Sequence, residues 1–196
     1  MGNSRKTFYF IRNKLEGERE VKKAIIIHGW ESGPEEHWYQ EEGKILENLG
    51  FEVHVPKMPG ESFVIEAEWI EVLMDLKPGA ADILIGHSLG APTILRYLEK
   101  ATSPVGKVFL IAGFVSPLSL DYPNAEYPKH FVDRPFDWVT IKKNAKNFVV
   151  LNQNNDPWVN IEKGEELAER LGVLLTRVEG NNHFDTMDLE LISEQL

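Results

Sequence analysis

Apolar residues in this chain fall into short unbroken runs, separated by longer stretches of mixed polarity. Lys22-Lys23-Ala24-Ile25-Ile26-Ile27 holds the clearest run. A strand buried on both faces of a parallel sheet has no solvent side, so it reads as continuous aliphatic residues rather than alternation. Phe51–Val55, Asp82–Ile85, Lys107–Ile111, Phe148–Leu151 and Leu174–Val178 are the other predicted strands of the core. Between them the pattern predicts helices. Pro34 to Leu49 has Pro34 near its start and Gly50 as its stop. Glu61 to Leu76 stops at Pro78-Gly79, and Leu89–Lys100, Asp137–Ala145 and Ile161–Leu171 follow. Asp188–Leu196 reads as a terminal helix, and aromatic, β-branched Thr7–Ile11 as an additional first strand.

Strands alternating with helices imply βαβ units, so the expected class is α/β: a three-layer sandwich with a mostly parallel central sheet. The 196 residues suit a single domain spanning 1–196, and no repeat, low-complexity segment or linker divides them. One stretch is irregular. Phe114 to Pro135 carries Pro117, Pro123, Pro128 and Pro135 together with several aromatics. Long connections in compact domains are often functional. This one reads either as a short lid or pocket wall, or as a packed surface excursion.

Gly86-His87-Ser88-Leu89-Gly90 follows the Ile83–Ile85 run and precedes a predicted helix. A G-x-S-x-G serine on a sharp strand-to-helix turn is the nucleophile elbow of α/β-hydrolases. The flanking glycines let backbone segments approach where a side chain would collide. A serine hydroxyl is a weak nucleophile at neutral pH and needs a base, plus a group that orients the base. On this fold the order is Ser, then Asp or Glu, then His. Each partner should follow a strand, because sites form at the carboxyl ends of parallel strands. Asp156 is the only carboxylate in the loop Asn152–Val159 after one predicted strand. His183 lies in Glu179–Phe184 after the next.

Other candidates fit less well. His130 precedes the Asp156 strand, and Asp133 shares its excursion. Asp185 stands only two residues past His183. His87 adjoins the serine in sequence, so its ring is poorly directed to serve as its base. It is expected to pack or hydrogen-bond beneath the elbow. The oxyanion of acyl transfer needs preorganised N–H donors. The Leu89 N–H is one, and the Trp30 N–H, in the loop after the Ala24–Ile27 strand, is the candidate second. Trp30 also reads as core or pocket wall. His28, Phe114 and Trp158 are further pocket candidates, and Trp138 is either pocket or core.

Composition narrows the partners. Net charge is −10, which disfavours polyanionic nucleic acid and anionic membrane surfaces. Without cysteine, disulfides, thiolate catalysis and Cys-based zinc sites are ruled out. His28, His37 and His87 lack metal-ligand spacing such as H-E-x-x-H, so no metal site is expected. Phosphate-binding glycine loops are absent, and no cofactor is implied. The first residues have no apolar h-region, and Lys6 spoils a myristoylation match. No apolar stretch nears the ~20 residues of a membrane span. A cytoplasmic protein acting on a small molecule is the expectation.

Four blocks carry a family resemblance: Ile27-His28-Gly29-Trp30 with Glu36-His37-Trp38, Gly86 to Ala91, Asp156-Pro157-Trp158-Val159, and Gly180 to Phe184. In these the chain, from Ala24 to its C-terminus, resembles the small serine hydrolases of the retinoblastoma-binding protein 9 family. The resemblance implies an α/β-hydrolase fold without a large cap domain and a Ser88, Asp156, His183 triad. It also implies activity on small acyl or aminoacyl compounds. The segment Phe8–Ile11 with the loop to Val21 departs from the pattern and suggests an added edge strand or hairpin. The expected activity is cleavage of small carboxylic esters. Amide or thioester cleavage on the same triad, or a non-catalytic binding role, are the alternatives. Glu31 and Asp133 are candidate anchors for a substrate amine.

Overall fold

A computed structural model of the chain describes residues 21–60, 63–118, 127–188 and 190–196. In chain order the elements are β1 (Lys23–Ile27), α1 (Tyr39–Asn48), β2 (Glu52–His54), α2 (Glu66–Leu76), β3 (Ile83–His87) and α3 (Gly90–Leu98). Then come β4 (Val105–Ile111), a 3-10 turn (Lys129–Phe131), α4 (Trp138–Lys143), β5 (Ala145–Gln153), α5 (Ile161–Leu171), β6 (Leu175–Val178) and α6 (Glu190–Ser193).

The six strands form one sheet in the order β2-β1-β3-β4-β5-β6, and every pairing is parallel. Its interior strands carry the unbroken aliphatic runs because both faces are covered. Ile25, Ile27, Leu84, Val108, Leu110 and Val150 point to one face, where α2 to α5 pack. Ala24, Ile26, Ile83, Ile85, Phe109 and Ile111 point to the other, which α1 and α6 cover. The two-residue period of a strand thus builds two cores from one sequence run.

The strand order reverses between β1 and β3: the chain leaves β1 for the β2 edge, then returns to β1's other side. The register pairs Ile27 with Gly86. The loop after β1 and the elbow after β3 therefore emerge side by side at the carboxyl edge. Open α/β sheets place their ligand crevice at such a reversal.

Some boundaries differ from the sequence pattern. The helix predicted from Pro34 starts at Tyr39, because His37 takes φ 54° and the chain turns there to bury Trp38. Ala145, predicted helical, is the first residue of β5 and pairs with Val105. Asn144 ends α4 by donating its side-chain amide to the Leu98 and Ala101 carbonyls. The terminal helix covers four residues rather than nine.

The described parts of the proline-rich excursion pack down rather than stand away. Phe114, Val115, Phe131, Val132 and Phe136 are buried in the larger core. Among the described residues no separate cap domain is present, and no helix is long and apolar enough to cross a membrane. The predicted strand Thr7–Ile11, the N-terminal extension before Val21 and Pro123 lie outside the described residues.

Candidate active site

Ser88 sits between the last residue of β3 and the first turn of α3, with φ 52°. A non-glycine residue avoids this left-handed region unless its surroundings enforce it. Here the Ser88 N–H donates to the Ile111 carbonyl at 2.9 Å, which extends the β3–β4 ladder through the turn. Gly90 packs its Cα against the Ile27 and His28 carbonyls, leaving no room for a Cβ. Ser88 alone among residues 86–90 keeps solvent access. The Leu89 N–H opens α3, where the first N–H groups of a helix have no intrahelical acceptor.

The loop after β1 closes over the serine. A Cβ built on Gly29 would lie 3.2 Å from Ser88 Cβ and 3.7 Å from its Oγ. Trp30 follows, half-buried. His28 does not face a pocket. It is buried, its Nδ1–H donates to the Gly29 carbonyl at 2.7 Å, and its Nε2 accepts from the Met58 N–H at 3.0 Å. Burial lowers its pKa and keeps it neutral. The ring ties the β1 loop to the Met58 segment. Beside this loop a cleft of about 520 Å³ opens, lined by Glu31, Ser32, Glu35, Glu36 and Lys57 among others.

Asp156 and His183 meet although 27 residues separate them. His183 Nδ1 lies 2.9 and 2.8 Å from the two carboxylate oxygens. Asp156 Oδ1 also accepts the Trp158 and Val159 N–H groups, each at 2.9 Å. The carboxylate is fully buried and the imidazole is 13% exposed. A buried carboxylate with donors on both oxygens is held in one orientation, so it fixes the ring's tautomer. In the neutral ring Nδ1 then carries the proton, and Nε2 is the nitrogen free to accept one.

The His183 loop is pinned from two sides. Gln153, the last residue of β5, accepts the Asn182 N–H at 3.0 Å and the Phe184 N–H at 3.3 Å. His87 donates from Nε2 to the His183 carbonyl at 2.9 Å. The His87 and His183 ring centroids are 4.9 Å apart, which sets His183 against the elbow. Among the described residues no hydrogen bond joins Ser88 to His183. Such contacts are often long before substrate binds and shorten in the reacting complex.

The remaining sequence candidates scatter. Phe114 is 2% exposed and belongs to the core, whereas Trp158 is 47% exposed beside Asp156. His130 and Asp133 are exposed on the excursion. Asp185 pairs with His37 at 3.4 Å. Among the described residues no group of three potential ligand side chains is arranged to hold a metal ion. Sequence reasoning missed Gln153 and Tyr39. Gln153 ends a buried strand as a polar residue, which is a weak signal; Tyr39 gives none.

Comparison with known proteins bears on the family and the fold. The family model described as Serine hydrolase matches residues 24–188. The serine hydrolase RBBP9 of Rattus norvegicus is 29% identical over 175 residues, covering 87% of this chain and 91% of its own. The protein YdeN of Bacillus subtilis is 28% identical over 168 residues, covering 84% and 86%. The crystal structure of the B. subtilis ydeN gene product superposes with a TM-score of 0.77 at 27% identity, over 84% of this chain and 88% of that one. Est1E from Butyrivibrio proteoclasticus shares the fold at 15% identity, with a TM-score of 0.68 over 92% and 87%. With an elbow serine, a six-stranded parallel sheet of α/β-hydrolase type and a family match across most of its length, this chain belongs to the serine hydrolase family.

Proposed function

We propose that the protein cleaves small carboxylic esters through an acyl-enzyme formed on Ser88. The observation that carries this reading is the Asp156–His183 pair, set against an elbow whose serine is the one accessible residue. His183 Nε2 takes the proton as Ser88 Oγ attacks the substrate carbonyl. The same proton then passes to the leaving alcohol as the ester C–O bond breaks. Water repeats the sequence on the acyl-enzyme and releases the acid. Asp156 keeps Nδ1 protonated and stabilises the imidazolium that forms between steps. The Leu89 and Trp30 N–H groups receive the oxyanion. This set of groups requires no cofactor.

The cleft beside Trp30 favours a second reading. Glu31, Glu35 and Glu36 line it, and carboxylates there suit a substrate carrying an amine, as an aminopeptidase or amidase would need. Two measurements decide. Fluorophosphonate labelling followed by peptide mapping should give one adduct, on Ser88; absence of an adduct would favour a non-catalytic binding protein. Matched short acyl esters, thioesters and amides, with and without a free amine, should be hydrolysed in the order ester above amide. A preference for amine-bearing amides would move the assignment to the second reading.

A further inference from the structure

His183 and Phe184 occupy the left-handed backbone region in succession, with φ 54° and 55°. Neither is glycine. Each such residue is strained and persists only where the surroundings over-determine it. Gln153 holds the N–H groups on either side of His183, and Phe184 is fully buried. The carbonyl of His183 itself is held by one group, the Nε2–H of His87.

That contact fixes the state of His87. A carbonyl can only accept, so Nε2 carries the proton and Nδ1 is bare. Tyr39 meets this bare nitrogen with its hydroxyl at 2.6 Å. Both rings are buried, His87 at 2% and Tyr39 at 0% exposure. Burial holds His87 well below the usual imidazole range, and a charge on His183 pushes it further down. His87 therefore stays neutral while His183 becomes imidazolium. It cannot act as a base, because both its nitrogens are occupied.

We infer that His87, oriented by Tyr39, is the positioning residue of the base, registering the His183 backbone directly against the residue that precedes the nucleophile. The inference rests on the Ser88–His183 reading above. Its physical sense lies in adjacency. His87 and Ser88 are covalent neighbours, so one hydrogen bond from His87 sets the base loop relative to the serine without passing through the sheet. Displacement of a reacting group by about 1 Å can cost on the order of 100-fold in rate.

The test compares wild type, His87→Leu, His87→Gln and Tyr39→Phe. It reads fluorophosphonate labelling of Ser88, kcat and KM on a short acyl ester, and melting temperature. His87→Leu should lower kcat about 30-fold to 100-fold with KM within about twofold. Tyr39→Phe should lower it about 3-fold to 10-fold, since the ring keeps its bond to the His183 carbonyl but loses the hydroxyl that orients it from the other side. His87→Gln, whose amide N–H can reach the same carbonyl, should recover most of the rate. Variants that label and turn over like wild type with only a lower melting temperature, or a His87→Gln that recovers none of the rate lost in His87→Leu, would overturn the inference. Should His87→Leu fail to fold, Tyr39→Phe decides alone by the same criteria. A wild type that does not label at Ser88 would instead overturn the hydrolase reading itself, and this inference with it.

Discussion

The Asp156 carboxylate grips His183 Nδ1 at 2.8 Å while its other oxygen takes the Trp158 and Val159 N–H groups. The loop after β5 thus bends around its own aspartate, and the aspartate fixes a histidine that follows β6. Geometry of this kind fixes the direction in which the ring points.

Replacing Asp156 by Asn keeps the shape but offers an amide N–H where the imidazole needs an acceptor. The ring should then adopt the wrong tautomer, and kcat should fall by about 10⁴-fold with little change in KM. Steady-state kinetics on a short acyl ester checks this. A loss below tenfold would remove Asp156 from the mechanism.

Ser88→Ala should abolish the fluorophosphonate adduct and lower kcat by several orders of magnitude, leaving a residual rate from binding and the oxyanion donors. The melting temperature should stay close to that of wild type, since alanine keeps a Cβ at the left-handed position 88 and the backbone bond to Ile111 is unchanged.

Gly90→Ala should destabilise by about 1–3 kcal/mol or more, because the new methyl overlaps the Ile27 carbonyl on a strand that cannot yield. Urea denaturation measures the loss. Activity should fall even in folded material, as β1 and the elbow are pushed apart.

Arg96 is a buried cation that holds the end of the proline-rich excursion. Its guanidinium donates to the carbonyls of Phe131, Arg134 and Pro135 and to Glu99, and lies 3.6 Å from the Phe136 ring. Arg96→Met leaves three carbonyls without their donor and takes from Glu99 its buried cation, with the Asp137 N–H remaining as a donor to it. It should cost about 3–5 kcal/mol, read as a fall in melting temperature, with Lys a poor substitute because it lacks the planar fork.

Glu42 on α1 is fully buried, and neither carboxylate oxygen has a hydrogen-bond partner among the described residues. Burial raises its pKa from 4.5 to about 7. The folded state thus favours the protonated form. Its contribution to stability is complete below about pH 4.5 and is lost as pH rises toward 7, on the order of 3 kcal/mol in all. Glu42→Gln should flatten that slope and gain stability at pH 8 relative to wild type. Denaturation curves at pH 5, 7 and 8 would show parallel losses in both proteins if the carboxyl were not the cause.

Much of the architecture was legible in the chain because its signals are local. Ala24–Ile27 must be buried on both faces, and Gly86–Gly90 must turn sharply whatever surrounds them. The placement of Asp156 and His183 after successive strands followed from the same periodicity. Boundaries were less legible where a distant partner decides. Ala145 has helical surroundings in sequence, but Val105 claims it for the sheet.

The sequence by itself determined the strands, their alternation with helices, the elbow, and the one acid and one base that follow strands. Tertiary structure alone decided what those residues touch. His28 was turned away from the pocket by the Met58 N–H, 30 residues on. Tyr39 reaches His87 across 48 residues, and His87 reaches His183 across 96. A hydrogen bond between buried rings leaves no periodicity in either segment. It exists because strand order β1-β3-β4-β5-β6 brings four loops to one edge, and because a buried polar atom must find a partner there.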